Sequence, residues 1–391
     1  MENLPRDIAL DIFSRLPITS FLQIKSVCRT WRALSQDPSL PTMFQARANE
    51  RNPSLILHCD SPILNKLCFV GYDQGQPGHY SNKVLKIDAR LKLTMPEYHL
   101  VGSCNGLLCV ADAFYYDPVC IFNPFTSDYI ELPKTHHHTQ QEVALGFGYH
   151  SITMEYKMVR VVYYGTIRRD LILRRWSEHS EVQIFTLGTD AWRSLGSIRW
   201  RLDQRPSEAM VNGALHWVTT RHKGRRGARL HIISFDLAEE KFKEIVRPGC
   251  GSLDICNFHL LVLGESLSAA ICQTDGGLEI WVMKVYNVRE SWTKDYIIGA
   301  YVPASVENRQ VNPNSRIWKY STLSKRLANE VVCVLKNGEI LLEYESGALV
   351  LYNPYEEEFK KLVISGLPKW FATLTHVDSI FSLEAALKIK L

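Results

Sequence analysis

Asn212-Gly213-Ala214-Leu215-His216-Trp217 is the stretch whose reading decides the fold. A two-residue type I′ hairpin turn needs positive φ at both central positions, which Asn-Gly supplies at least cost, so Asn-Gly followed by apolar residues reads as a turn entering a strand. The same pattern stands at Asn105-Gly106-Leu107-Leu108-Cys109-Val110 and at Asn337-Gly338-Glu339-Ile340-Leu341-Leu342. Gly264-Glu265-Ser266-Leu267 reads as an intermediate copy. Halving the two intervals between the Asn-Gly pairs gives a unit of roughly 50–60 residues, near the ~40–50 of a four-stranded propeller blade.

A second pattern trails the first. Ile121-Phe122-Asn123-Pro124 leads through a turn to Tyr129-Ile130-Glu131-Leu132-Pro133. Phe185-Thr186-Leu187 leads likewise to Ala191-Trp192-Arg193-Ser194-Leu195, Phe235-Asp236-Leu237 to Lys241-Phe242-Lys243-Glu244-Ile245, and Leu351-Tyr352-Asn353-Pro354 to Glu358-Phe359-Lys360-Lys361-Leu362. Each is a strand, a polar turn, and a strand with an aromatic or apolar residue near its start. Elsewhere, Glu181–Phe185 and Ile233–Leu237 alternate with period two, while Ile280–Met283 and Val331–Leu335 are continuous apolar runs of doubly buried strands. From Ser54 onward the chain therefore predicts an all-β propeller of about five to seven blades, radial repetition leaving only short sheet edges. Ser54–His58 and Ile380–Leu383 are the candidates to share the closing blade, and 383–391 alone suggests a helix.

The first residues differ. Ile8, Ile12, Phe13 and Leu16 recur at helical spacing and predict one apolar face. Pro5 suits a first turn, Asp7 favours the positive end of the helix dipole, and Pro17 stops the helix. Thr19 or Ser20 is the expected cap of a second helix carrying Phe21, Leu22 and Ile24. A third runs through Val27, Cys28, Trp31 and Leu34 to Asp37-Pro38. Three short helices bury too little surface for a strong core of their own, and the apolar surplus implies a partner. The expected organisation is a helical unit 1–44, a linker 45–53 and the propeller 54–391.

Composition bounds the function. With 391 residues, 46% hydrophobic and 22% charged, the chain has material for a large core and for more than one domain. Its longest apolar runs fall far short of the ~20 residues of a membrane helix. The first residues show no basic-then-apolar signal, and the ten cysteines form no CxxC pair, which favours reduced thiols in the cytosol or nucleus. Net charge is only +4, with no whole-chain attraction to nucleic acid, but residues 160–230 hold fourteen Lys/Arg against six Asp/Glu.

The motifs carry a resemblance. Leu4-Pro5, Asp7-Ile8, Ile12-Phe13-Ser14-Arg15-Leu16-Pro17 and Val27-Cys28-Arg29 with Trp31-Arg32 are similar to an F-box. The rest resembles the plant F-box-associated, kelch-like domain through Gly102–Leu108, Asn123-Pro124, Gly146-Phe147-Gly148-Tyr149, Tyr156-Lys157, Trp192-Arg193-Ser194, Asn212–Trp217 and Ile280–Lys284 with Glu290-Ser291-Trp292. The resemblance implies the substrate-recognition subunit of an SCF-type (Skp–cullin–F-box) ubiquitin ligase. Leu4, Pro5, Ile8, Leu16, Pro17, Val27, Cys28 and Trp31 match the motif that binds the Skp-type adaptor, through which a cullin is reached. The propeller would capture a protein target. A ligase-independent scaffold and a glycan-binding propeller are the alternatives.

No catalytic or cofactor constellation accompanies this. The chain has no GxSxG, phosphate loop or HExxH. His136-His137-His138 reads as an exposed loop, since consecutive side chains diverge, and Cys104, Cys109, Cys250 and Cys256 read as small buried hydrophobes. Thr274-Asp275-Gly276-Gly277 reads as a hairpin turn and not a sialidase box. Two arginine-rich clusters stand out: Arg168, Arg169, Arg174 and Arg175, then Arg225 and Arg226 in a Gly-interrupted stretch. They read either as solvated insertions or as a surface for an acidic or phosphorylated target, since Arg pairs bidentately with both groups. Trp176 and Trp200 are potential anchors beside them.

Overall fold

Each Asn-Gly pair lies at a hairpin turn joining two strands of one sheet in the computed structural model. The structure describes residues 4–59, 65–73, 79–81, 83–87, 95–126, 128–135, 141–164, 179–205, 207, 209–219, 230–250, 257–273, 275–301, 303, 329–344 and 347–383. At the first two turns both residues take positive φ, Asn105 at 49° with Gly106 at 80° and Asn212 at 52° with Gly213 at 70°, as type I′ requires. The third differs: Gly338 alone is left-handed, because the loop is longer and Gly338 N donates to Leu335 O. Gly264-Glu265 is a two-residue turn between Leu263 and Ser266.

The turns organise six four-stranded antiparallel sheets, the blades of a propeller. Blade 2 spans 98–131, blade 3 141–196, blade 4 209–245, blade 5 257–298 and blade 6 329–361. Blade 1 is composite, with strands Phe371–His376, Ser54–Cys59, Lys66–Val70 and Leu85–Ile87 in order from the axis outward. The last strand thus closes the ring by pairing with the first, Ser54 opposite His376 and Cys59 opposite Phe371. The closing strand is therefore 371–376 and not 380–383; the chain beyond His376 instead runs across blade 2, where Asn123 holds it. Of the stretch expected to be helical at the C-terminus, 384–391 lies outside the described residues.

Blade-to-blade packing explains the repeated motifs. A Cβ at Gly146 would overlap the Trp217 ring, and one at Gly148 would meet Met210 Sδ at 2.8 Å, so these glycines let blade 4 lie against blade 3. Lys157, almost wholly buried, donates to Leu237 O at 2.6 Å and to Glu240 Oε1 at 2.8 Å across the same interface. Aromatics near the start of the outer strands tie blades 3, 5 and 6 to their predecessors. Trp192 Nε1 donates to Pro133 O at 2.7 Å, Trp292 Nε1 to Val246 O at 3.0 Å, and Phe359 stacks on Tyr301 with centroids 4.2 Å apart.

Among the described residues four helices precede the ring: α1 (Arg6–Ser14), α2 (Ile18–Val27), α3 (Arg29–Leu34) and α4 (Leu40–Asn49). Three were expected, and α4 runs through position 44, where the sequence placed the end of the helical unit. Pro17 both ends α1 and stands at the N-cap of α2, its φ of −57° and extended ψ leading straight into Ile18, so neither Thr19 nor Ser20 caps that helix. Cys28 is fully extended between α2 and α3, and its Sγ accepts from Trp31 N at 3.4 Å. The helices share their core with the propeller: Leu10, Phe13, Phe21 and Phe44 belong to the same apolar cluster as Phe69, Tyr98 and Phe122 of blades 1 and 2.

Candidate protein-docking site

Helix α1 has two apolar faces where the spacing suggested one. Ala9, Leu10 and Phe13 are buried, whereas Ile8 and Ile12, one turn apart, are 49% and 43% exposed. Leu4, a turn upstream, is 41% exposed, and Val27 at the end of α2 is 60% exposed. Pro5, Pro17 and Cys28 are also exposed, while Leu16 and Trp31 are half-buried. Trp31 meets Phe13 edge-on at 5.3 Å, so it joins α3 to α1 as well as bordering the surface. All eight expected docking residues therefore reach the surface at least in part, and Ile12, placed by spacing on the same face as Phe13, joins them outside. A large apolar side chain covered by a partner contributes roughly 1.5–3 kcal/mol. The surrounding ion pairs, such as Arg15 Nε to Asp11 Oδ2 at 2.9 Å, hold the Asp11 carboxyl below its ordinary range but are exposed and worth little.

Beside the shared core, hydrogen bonds fix the ridge to the ring. Arg51 donates to Ser14 O and Leu16 O, each at 3.3 Å, satisfying carbonyls that the end of α1 leaves open. Lys336, in the first turn of blade 6, donates from its main-chain N to Asn52 Oδ1 at 2.8 Å and from Nζ to Asn49 O at 3.4 Å. Asp378 lies in the field of Arg51, and burial pushes its carboxyl up to about 7.

Strand direction divides the remaining surface. In blades 2 to 6 the turn from first to second strand and the turn from third to fourth lie at the helix-bearing end, and several are short: 105–106, 212–213, 264–265. The second-to-third connections and the crossings between blades lie at the opposite end. Here the chain leaves the described structure at Tyr164, Thr219, Cys250 and Tyr301, and an ordered turn presents exposed Phe114 and Tyr115, their main-chain N–H groups held by Asp112 Oδ1 at 2.9 and 2.8 Å.

The axis of the ring is hollow. Innermost-strand residues Gly102, Phe147, Met210, Leu261, Val332 and Thr373 line a cavity of about 240 Å³. A second cavity of about 100 Å³ adjoins it at the far end, sharing Ser207, His259, Leu260 and Glu330 and adding Asp203, Arg205 and Trp217. Arg205 NH1 stands 3.5 Å from Glu330 Oε1, and its Nε 3.6 Å from Asp203 Oδ2. His259 Nε2 accepts from Val331 N at 3.2 Å, which places the ring proton on Nδ1, where it has no acceptor among the described residues. Burial, and secondarily Arg205, lower the His259 pKa against the pull of Glu330. Sequence reasoning missed this group, because Asp203 and Arg205 come from the crossing between blades 3 and 4 while His259 and Glu330 open the innermost strands of blades 5 and 6.

Several expected features lie outside the described residues: Arg168, Arg169, Arg174, Arg175, Arg225 and Arg226, with Trp176, His136-His137-His138 and Cys256. Trp200 is half-buried, with the Arg199 guanidinium 4.4 Å from its ring centre. Cys109 is buried, and Cys104 and Cys250 are half-buried. Gly277 N donates to Asp275 Oδ1 at 3.0 Å, forming the tight turn expected there. Among the described residues no three His, Cys, Asp or Glu side chains group as metal ligands, and no helix is long and apolar enough to cross a membrane.

Comparison with known proteins agrees with this geometry. Residues 1–41 match the F-box-like family model, and residues 65–317 match the model of the F-box associated beta propeller domain. The chain is similar to the Arabidopsis thaliana F-box protein At3g07870, with 42% identity over 396 residues, covering 97% of this chain and 92% of that protein. It is similar at 25% identity to the F-box protein CPR1 of the same plant, covering 97% and 89%. The Arabidopsis F-box/kelch-repeat protein At3g23880 is 26% identical, over 75% of this chain and 79% of that one.

Proposed function

The chain belongs to the F-box proteins that carry an F-box-associated β-propeller domain, and we propose that it is the substrate-recognition subunit of an SCF-type ubiquitin ligase. The observation that carries this reading is an opposition: an exposed apolar ridge, Leu4, Ile8, Ile12 and Val27, at one end of the ring, and the crossing connections with the channel mouth at the other. The ridge docks on a Skp-type adaptor and through it reaches a cullin. The far end captures the protein to be modified. The role is non-catalytic: the chain holds its target near the transferred ubiquitin, and effective concentration replaces chemistry.

The shared core suits that role, because helices and ring joined through Phe44 and Phe69 present the target at one orientation. The two arginine clusters belong to the same reading as contacts to an acidic or phosphorylated target. The chain enters and leaves them at Tyr164 and His179, and at Thr219 and Leu230, all on the capture end. A reducing compartment, cytosol or nucleus, suits the thiols Cys59 and Cys68, where Cys59 Sγ–H donates to Cys68 Sγ at 3.9 Å.

The test is reconstitution of ubiquitin transfer with adaptor and cullin on proteins that the full chain captures from plant extract. Transfer that is lost in an Ile8→Asp, Ile12→Asp variant supports the reading. Normal adaptor binding with no transfer to any captured protein would favour a ligase-independent scaffold. Substitution is a cleaner control than deleting 1–44, since deletion strips Phe21 and Phe44 from a cluster the propeller shares.

A further inference from the structure

The small cavity at the far mouth of the channel holds charged groups of both signs around two uncommitted donors. Its volume of about 100 Å³ is well below the roughly 300–1,000 Å³ of cofactor or drug-sized sites. It has room for the end of a single side chain.

Two N–H groups in this cavity lack acceptors among the described residues. One is His259 Nδ1–H, on a ring that is 9% exposed. The other is Arg205 Nε–H, whose nearest carboxylate oxygen, Asp203 Oδ2, is 3.6 Å away and too distant for a hydrogen bond. Ser207 is committed, donating to His216 O at 2.7 Å and accepting from His216 N at 3.1 Å. His216 is committed too, its Nδ1 on Ala209 O and its Nε2 on the Tyr286 hydroxyl. The acceptors in the cavity are the carboxylates of Asp203 and Glu330, and Asp203 also takes Arg205 N at 3.2 Å.

Charge then selects the guest. A carboxylate offered to the two donors meets Asp203 and Glu330, and an ammonium offered to the carboxylates meets Arg205 and the His259 proton. A primary carboxamide satisfies both sides, with its C=O toward His259 Nδ1–H and Arg205 Nε–H and its NH₂ toward Glu330. Trp217, Val218 and Leu260 supply apolar walls for the methylene stem. Such a site disfavours a charged isostere: an ammonium leaves the two buried N–H groups unpaired, and a carboxylate faces Asp203 and Glu330.

We propose that the far channel mouth is a recognition pocket for a side-chain carboxamide, a glutamine or asparagine presented by the captured protein, with His259 and Arg205 as the specificity-determining residues. The proposal rests on the reading of this end as the capture end and names the chemistry it accepts.

The test is a titration of the full-length chain carrying ¹³C-labelled histidine, following the non-exchanging ring C–H signals of His259, identified by their loss in His259→Gln. Three probes are used: the N-acetyl, N′-methylamide derivatives of glutamine, glutamate and lysine. The glutamine derivative is expected to shift the His259 signals with a dissociation constant of roughly millimolar order, as suits so small a ligand. Arg205→Met, at a partly exposed position where the fold tolerates change, is expected to weaken that response about tenfold. No shift with glutamine, or an equal shift with glutamate or lysine, overturns the proposal. Neither adaptor nor cullin enters this titration, so its failure leaves the ligase reading standing, and a silent transfer assay leaves this result standing.

Discussion

The Asn123 side-chain amide donates to the main-chain carbonyl of Ser379 at 3.0 Å, across 256 residues of sequence. It also donates to Phe381 O at 2.9 Å, while its Oδ1 accepts from Phe125 N at 2.8 Å. Both N–H donors of this buried amide are thus spent on holding the tail of the chain against blade 2, just beyond the strand that closes the ring, while its oxygen fixes the local turn. The Asn-Pro pair that looked like mere turn chemistry is a latch.

Asn123→Leu should therefore lower stability by about 2–4 kcal/mol, since it strands two buried carbonyls and one N–H. Gly106→Ala should act on the same contact, because its Cβ would overlap Ser379 Cβ and φ is +80°. Ser379→Gly should partly rescue Gly106→Ala and leave Asn123→Leu unrescued. Urea unfolding midpoints of the four variants check this; no rescue would place the strain elsewhere.

Gly146→Val should unfold blade 3 from blade 4, since its Cβ would enter the space of the Trp217 ring. The expected loss is about 3 kcal/mol, the upper end of what overpacking a close contact costs. Full-length expression with near-native melting would show that the ring moves aside more easily than its packing indicates.

Lys157→Met should cost about 3–5 kcal/mol, although Met fills similar space. Removing the ammonium leaves Glu240 with Arg193 alone and Leu237 O without its donor. A double variant with Glu240→Gln should recover part of that loss. Equal stability of Lys157→Met and wild type would contradict this account of the interface.

Stability should rise with pH between about 4 and 6.5. Burial lowers His216 to about 4 and His376 to about 3, so in this window the unfolded chain binds protons at both imidazoles that the fold does not. Asp378 works in the opposite sense: with its folded pKa raised to about 7, its contribution is complete below the unfolded value and is lost as pH climbs toward 7. Asp378→Asn removes that opposition. It should steepen the rise, which denaturant midpoints at pH 5 and pH 7 will read; an unchanged slope would mean Asp378 is ionised in the fold.

Much of the ring was legible because turn chemistry is local. Asn105-Gly106 and Asn212-Gly213 announce their hairpins through the φ values they allow, and Trp192, Trp292 and Phe359 mark outer strands. The matching turn of blade 3, between His150 and Glu155, carries no Asn-Gly and could only be inferred by halving an interval. Ring closure was misplaced because Phe371–His376 is defined by its partner at the other end of the chain, which no local signal names. The docking ridge was legible by motif, but spacing alone could not say that Ile8 and Ile12 face out while Leu10 and Phe13 face in. Arg205, His259 and Glu330 were invisible as a group, being brought together only by the radial symmetry.

The central claim is that the outward stripe of α1 is a docking surface and not part of the fold. Equilibrium binding of the purified full-length chain to the Skp-type adaptor, with and without Ile8→Asp and Ile12→Asp together, tests it most directly. The account predicts a loss of affinity of about a hundredfold or more, with a urea midpoint equal to wild type. Affinity within about threefold of wild type in a folded double variant would contradict it.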